Sequence, residues 1–117
     1  MIRAFTTGIS VAALGLITAL PATAQEPTGG VVSIGGAVTE IVFALGAQRQ
    51  LVARDTTSSY PPEAAALPDV GYMRALSPEG VLATGPKLII AEEGAGPPET
   101  IEVLAQAGIP FVTVPDD

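Results

Sequence analysis

Residues 31–46, VVSIGGAVTEIVFALG, decide the fold. Val31 to Ile34 is a short run rich in β-branched residues that stops at Gly35-Gly36, which predicts a buried strand ending in a tight loop. Beyond the glycines, Val38, Ile41, Val42 and Leu45 recur at i, i+3, i+4 and i+7. That spacing gives a helix one apolar face, with Gly46 placed as its C-terminal cap. The unit is a strand, a glycine turn and a helix, and the strand is apolar throughout instead of alternating, as suits a sheet covered on both sides.

The same grammar continues downstream. Leu51 to Ala53 is a second apolar run leading into the polar stretch Arg54 to Tyr60. Pro61-Pro62, a weakly helical Glu63 to Leu67 and a connecting loop Pro68 to Gly71 follow. Ser77-Pro78-Glu79 supplies an N-cap, a proline at the first helical position and an acid in the first turn, which predicts a helix over Pro78 to Thr84 ended by Gly85-Pro86. Leu88 to Ala91 reads as a third strand, Pro98 to Ala107 as a helix with Gly108 past its end, and Phe111 to Val114 as a fourth strand. Strands alternating with helices imply a small doubly wound parallel α/β sheet. After the last strand comes only Pro115-Asp116-Asp117, so the sequence reads as a fragment that continues in the intact protein.

Upstream, Met1 to Arg3 is a cationic start, Gly8 to Leu20 is uncharged and mostly apolar, and Pro21 to Ala24 ends in small residues. This is the order of a cleavable secretory signal peptide over residues 1–24. The apolar run, about 13 residues, is short of the roughly 20 that span a bilayer, so no membrane span is expected after cleavage. Residues 25–30, QEPTGG, form a flexible lead-in, and residues 31–117 the folded unit. Export without a single cysteine fits the bacterial periplasm.

Composition narrows the chemistry. Five Lys/Arg against 12 Asp/Glu give a net charge of -7, which leaves no basic face for nucleic acid. With no Cys and no His there is no thiolate, no Ser-His system and no N/S zinc site. Gly35-Gly36 ahead of a helix could cradle an anion, although the third glycine of a dinucleotide fingerprint and the Gly-Lys-Ser/Thr of a P-loop are missing; the competing reading is a tight turn. Tyr60 follows four hydroxyl residues and precedes two prolines. Its phenol is either a hard anionic donor for ferric iron or a loop tyrosine resting on Pro61. Arg54 and Arg74 are either solvated or placed to stabilise a phenolate or to hold a carboxylate bidentately. Met73 is either pocket lining or ordinary packing, its loop position favouring lining, and Glu79 reads as a helix-start acid. Glu92 or Asp55 would be the base if the chain were an exported enzyme, but no nucleophile, base and orienting group assemble around either.

The run from Val31 to Pro115 resembles the N-terminal lobe of the periplasmic substrate-binding proteins of iron-siderophore, haem and cobalamin ABC importers. The segments SIGGAVTE (33–40), RDTTSSYPP (54–62) and GYMRALSPEG (71–80) are most similar to the haem-binding members. The resemblance implies a non-enzymatic, monomeric protein of two lobes joined by a long helix, of which this chain lacks the linking helix and the C-lobe. It implies haem as the transported ligand, with Tyr60 as axial ligand to its iron and Gly35, Gly36, Arg54, Met73 and Arg74 around it. It further implies that Glu79 docks on arginines of an inner-membrane permease coupled to an ATPase. Cobalamin or a ferric siderophore as ligand, or a non-functional truncated product, are the alternatives.

Overall fold

A computed structural model describes residues 29–117, together with Gly8 and Gly15. Apart from Gly8 and Gly15, the expected signal peptide lies outside the described residues, as do residues 25–28 of the lead-in. Gly30 is buried, and its carbonyl accepts from the backbone N–H groups of Lys87 and Leu88 at 2.8 and 3.4 Å. The bonded structure therefore begins inside the expected lead-in.

The strands are β1 (Val31–Ile34), β2 (Leu51–Arg54), β3 (Leu88–Glu92) and β4 (Phe111–Val114), and the helices are α1 (Gly36–Ala44), α2 (Pro78–Leu82) and α3 (Pro98–Gln106). Short 3-10 turns cover Gln48–Gln50 and Pro62–Ala66. The four strands form one sheet in the order β2-β1-β3-β4, every pair parallel. β1 is central and wholly buried, which is why its sequence does not alternate.

Alternate residues of the strands face different layers. Val32, Ile34, Ala53, Ile89 and Ala91 form one core with Val81 of α2 and Leu104 of α3, all inaccessible to solvent. On the other side, Ser33 of β1 meets Thr39 of α1, their hydroxyl oxygens 2.6 Å apart. Helices thus cover both faces, as the doubly wound reading requires.

The helix ends follow local chemistry. At the end of α1 the Gly46 N–H donates to Phe43 O and the Ala47 N–H to Val42 O, both at 3.0 Å, with Gly46 at φ +72°. This is the paired closure that a left-handed residue past the helix makes possible. In α2 the Ser77 hydroxyl accepts from the Gly80 N–H at 3.2 Å. That helix ends at Leu82, two residues earlier than predicted. The N–H groups of Thr84 and Gly85 bond three residues back, to Val81 O and Leu82 O, so its last turn tightens to 3-10 geometry.

The predicted apolar face of α1 is only partly buried. Val38 is in the core, whereas Ile41 is 52% exposed and Leu45, already the capping residue, is 76% exposed.

Candidate functional site

The carboxyl ends of parallel strands, where ligands of such sheets bind, carry three loops here. They are the β1–α1 turn, residues 55–60 after β2, and residues 93–97 after β3. The innermost layer is a buried polar cluster. Asp55 is fully buried, and its Oδ1 accepts from the Gly35 N–H at 2.9 Å and the Ser58 hydroxyl at 2.7 Å. Its Oδ2 accepts from the N–H and hydroxyl of Thr57 at 3.1 and 2.7 Å. Behind it, the Ser33, Thr39 and Ser58 hydroxyl oxygens form a chain with 2.6 Å spacings. Among the described residues no buried side-chain polar atom lacks a partner.

This cluster changes the reading of Gly35-Gly36. The anion held at the head of α1 is the chain's own carboxylate, so the turn offers its Gly35 N–H to no ligand. The glycines are there for close packing. A Cβ on Gly35 would stand 2.5 Å from the Glu92 Cβ, on a residue with φ +103°, and one on Gly36 would stand 3.1 Å from the Thr57 carbonyl oxygen. Asp55 likewise has both oxygens committed, which removes it as a base for substrate.

A second layer joins the remaining loops. The Thr56 N–H donates to Gly71 O at 2.9 Å, and the Thr56 hydroxyl donates to Asp69 Oδ1, also at 2.9 Å. The Gly96 N–H donates to Met73 O and the Leu76 N–H to Gly96 O, at 2.8 and 2.9 Å. The turn that carries Tyr72 is therefore fastened on one side to the loop after β2 and on the other to the loop after β3.

The expected site residues separate on this frame. Arg54 spends its guanidinium inside the fold. It donates to the carbonyls of Ala65, Leu67 and Asp55 at 2.9, 3.2 and 3.3 Å and pairs with Asp69 at 3.3 Å. Its side chain is only 12% exposed, which leaves it a brace and not a free ligand clamp. Met73 is 8% exposed and packed in the core, so the expectation that it lines a pocket is corrected. The reason is the turn: the Ala75 N–H bonds Tyr72 O at 2.9 Å, which sends Met73 inward and leaves Tyr72 and Arg74 exposed on either side of it. Tyr60 is exposed, at 65%, and Tyr72 is 48% exposed.

An open depression of about 920 Å³ lies beside Arg74, bounded by Glu93, Gly94, Gly96, Pro97 and Asp116. Neither Tyr60 nor Tyr72 is among its lining residues. Among the described residues Arg74 has no hydrogen-bond or ion-pair partner. Tyr72 is not among the candidate site residues that the sequence singles out. An aromatic and a cation two residues apart, straddling an apolar residue after a glycine, was the signal that pointed to it.

Glu79 is exposed in the first turn of α2. The N–H of its own backbone holds its carboxyl below the usual carboxylate range, and the Ser77 hydroxyl, 3.0 Å away, adds to this.

A parallel sheet with a pinned loop layer, exposed phenols and an unpaired guanidinium at its carboxyl edge defines an α/β ligand-binding unit. The chain belongs to the periplasmic binding protein family, whose pattern matches residues 31–117. It is similar to the periplasmic heme-binding protein RhuT from Roseiflexus sp. RS-1 in apo form, at 46% identity and a TM-score of 0.71, over 74% of this chain and 33% of that one. A periplasmic heme-binding protein from Pseudomonas aeruginosa matches at 45% identity and a TM-score of 0.71, over 73% and 30% of the two chains. A vitamin B12-binding protein of Vibrio parahaemolyticus is 36% identical over 88 residues, 75% of this chain and 32% of that protein. The chain thus spans about a third of the length of these relatives. No helix among the described residues is long and apolar enough to cross a membrane.

Proposed function

We propose that the chain supplies a ligand-binding lobe of a periplasmic haem-binding protein that serves an ABC importer, with a tyrosine at the carboxyl edge of the sheet as axial ligand to ferric iron. Periplasmic location after signal cleavage and delivery to an inner-membrane permease and its ATPase belong to the same proposal, as does a binding and not an enzymatic role. Similarity to heme-binding structures at 45–46% identity supports haem over other ligands of the family.

The observation that carries the reading is the unpartnered Arg74, which lines the open depression on the same turn that exposes Tyr72. A free guanidinium matches a propionate carboxylate. Tyr60 was the expected donor. Its nearest arginine in sequence, Arg54, is engaged elsewhere, and this favours Tyr72 as the axial ligand with Tyr60 at the rim. Glu79, exposed and ionised at the head of α2, is the docking acid of this proposal.

The test is a hemin titration followed by absorption spectroscopy on wild type, Tyr60→Phe and Tyr72→Phe. The wild type is expected to give the charge-transfer band of tyrosinate-bound ferric haem. Tyr72→Phe should lose it and Tyr60→Phe should keep it. The reverse pattern returns the role to Tyr60. Saturable binding of cobalamin with no hemin band selects the vitamin B12-type reading that the Vibrio parahaemolyticus relative supports.

A further inference from the structure

The Asp55 carboxylate is buried and saturated, and it bonds both the β1–α1 turn and the loop after β2. Both of its oxygens are needed. Oδ1 joins Gly35 to Ser58, and Oδ2 holds the N–H and hydroxyl of Thr57. Between Asp55 and Thr57 stands Thr56, whose N–H and hydroxyl bond Gly71 and Asp69. Asp69 in turn accepts from the Gly71 N–H at 2.8 Å. A continuous set of hydrogen bonds therefore runs from the head of α1, through Asp55 and the Thr56-Thr57 backbone, to the residue that precedes Tyr72.

We infer that Asp55 is a positioning residue for the ligand: by fixing the 55–58 loop it sets the height and orientation of the turn that carries Tyr72 and Arg74, the latter lining the depression. The inference rests on the haem reading above for its ligand, but its structural half stands independently. Outer partners of a metal ligand typically account for about 10–100-fold in affinity, and here the coupling runs through backbone instead of a direct bond to the phenol. The lower end of that range applies.

Asp55→Asn is the decisive variant. It keeps shape and one acceptor, but whichever way the amide turns, its NH2 faces the N–H of either Gly35 or Thr57. The measurements are hemin affinity, the tyrosinate charge-transfer band, and amide hydrogen exchange at Thr56 and Gly71. A folded Asp55→Asn protein is expected to bind hemin about tenfold more weakly. Its band should be shifted or broadened, and Thr56 should exchange about tenfold faster or more. Wild-type affinity, band and Thr56 protection in a folded Asp55→Asn protein would overturn the inference.

If wild type shows no hemin band, the haem reading fails while the exchange measurement still decides whether Asp55 holds the turn: unchanged protection at Thr56 overturns it, and lost protection sustains it. If Asp55→Asn does not fold, Thr56→Val replaces it. Thr56 is exposed, and the change removes only the hydroxyl link to Asp69. A smaller loss of hemin affinity with faster exchange at Gly71 then supports the relay, and no change in either overturns it.

Discussion

Gly35→Ala isolates the contact on which both fold and site depend. Gly35 lies at φ +103°, and the added methyl would stand 2.5 Å from the Cβ of Glu92, a residue fixed in β3 by pairing with Val114 of β4. Holding a non-glycine residue in a conformation of that kind costs about 1–3 kcal/mol. Forcing a methyl into filled space adds about 1–3 kcal/mol, because behind the Glu92 carboxylate, which can swing aside, lies its Cβ, which the strand holds in place. The total is about 2–6 kcal/mol, a large part of the stability of a small domain. Gly46→Ala is the control: its φ is +72° but no atom lies within 4 Å of the new Cβ, so only the backbone cost of about 1–2 kcal/mol applies. The assay is urea unfolding followed by far-UV circular dichroism, with both variants beside wild type. With a slope of about 1 kcal/mol per molar for a chain this small, Gly35→Ala should lower the midpoint by about 2 M or more, or fail to fold. Gly46→Ala should lower it by about half as much. Equal midpoints for the two variants would refute the clash and, with it, the claim that Gly35 is glycine because β3 leaves no room.

Arg74→Gln should weaken hemin binding by about tenfold, the worth of one charge-assisted hydrogen bond, while leaving the urea midpoint unchanged because the guanidinium has no internal partner; isothermal titration beside the unfolding curve checks both halves. Glu79→Gln tests two consequences of one carboxylate. Because its pKa is lowered in the folded state, its stabilising contribution is present above the ordinary carboxylate range and disappears as pH falls through the depressed value. The midpoint difference between wild type and Glu79→Gln should therefore be visible at about pH 7 and close in strong acid. In a reconstituted transporter the same variant should leave hemin affinity intact and lower the stimulated ATP hydrolysis, more so as salt is reduced.

The parts of the fold legible in the sequence are those set by neighbours along the chain. VVSI before Gly35, the Gly46 closure, and Ser77-Pro78-Glu79 each carry their own cause within a few residues, and each appears where the sequence placed it. The parallel pairing of the strands followed from continuous apolar strands separated by helices. What could not be read were the bonds that cross the chain. Asp55 meets Gly35 across 20 positions, and Arg54 reaches Ala65 and Asp69 across 11 and 15. Charge and residue type made Arg54 and Arg74 equivalent in sequence, but the carbonyls at the end of the Pro62–Ala66 turn claim only the first. Met73 was misread for a related reason: a loop residue is usually exposed, yet this turn points its middle residue into the core. Ile41 and Leu45 show the converse, since the period that marks an apolar helix face says nothing of how far the sheet beneath it extends.

The buried aspartate also bears on what kind of ligand the edge can take. In doubly wound sheets the turn after the central strand, at the head of a helix, is the usual place for a phosphate. Here a phosphate oxygen brought to the Gly35 N–H would have to displace Asp55 or sit next to it. Two unit charges about 4 Å apart repel by about 4 kcal/mol at an effective dielectric of 20, more than the helix head offers an anion. Under the haem-binding proposal, recognition then falls to side chains of the layer above, a phenol and a guanidinium. Those groups suit a hard metal ion carried with carboxylates better than a nucleotide. The absent third glycine and P-loop lysine, which argue against a nucleotide in the sequence, and the occupied turn, which argues against one in the structure, are thus two consequences of the same local design.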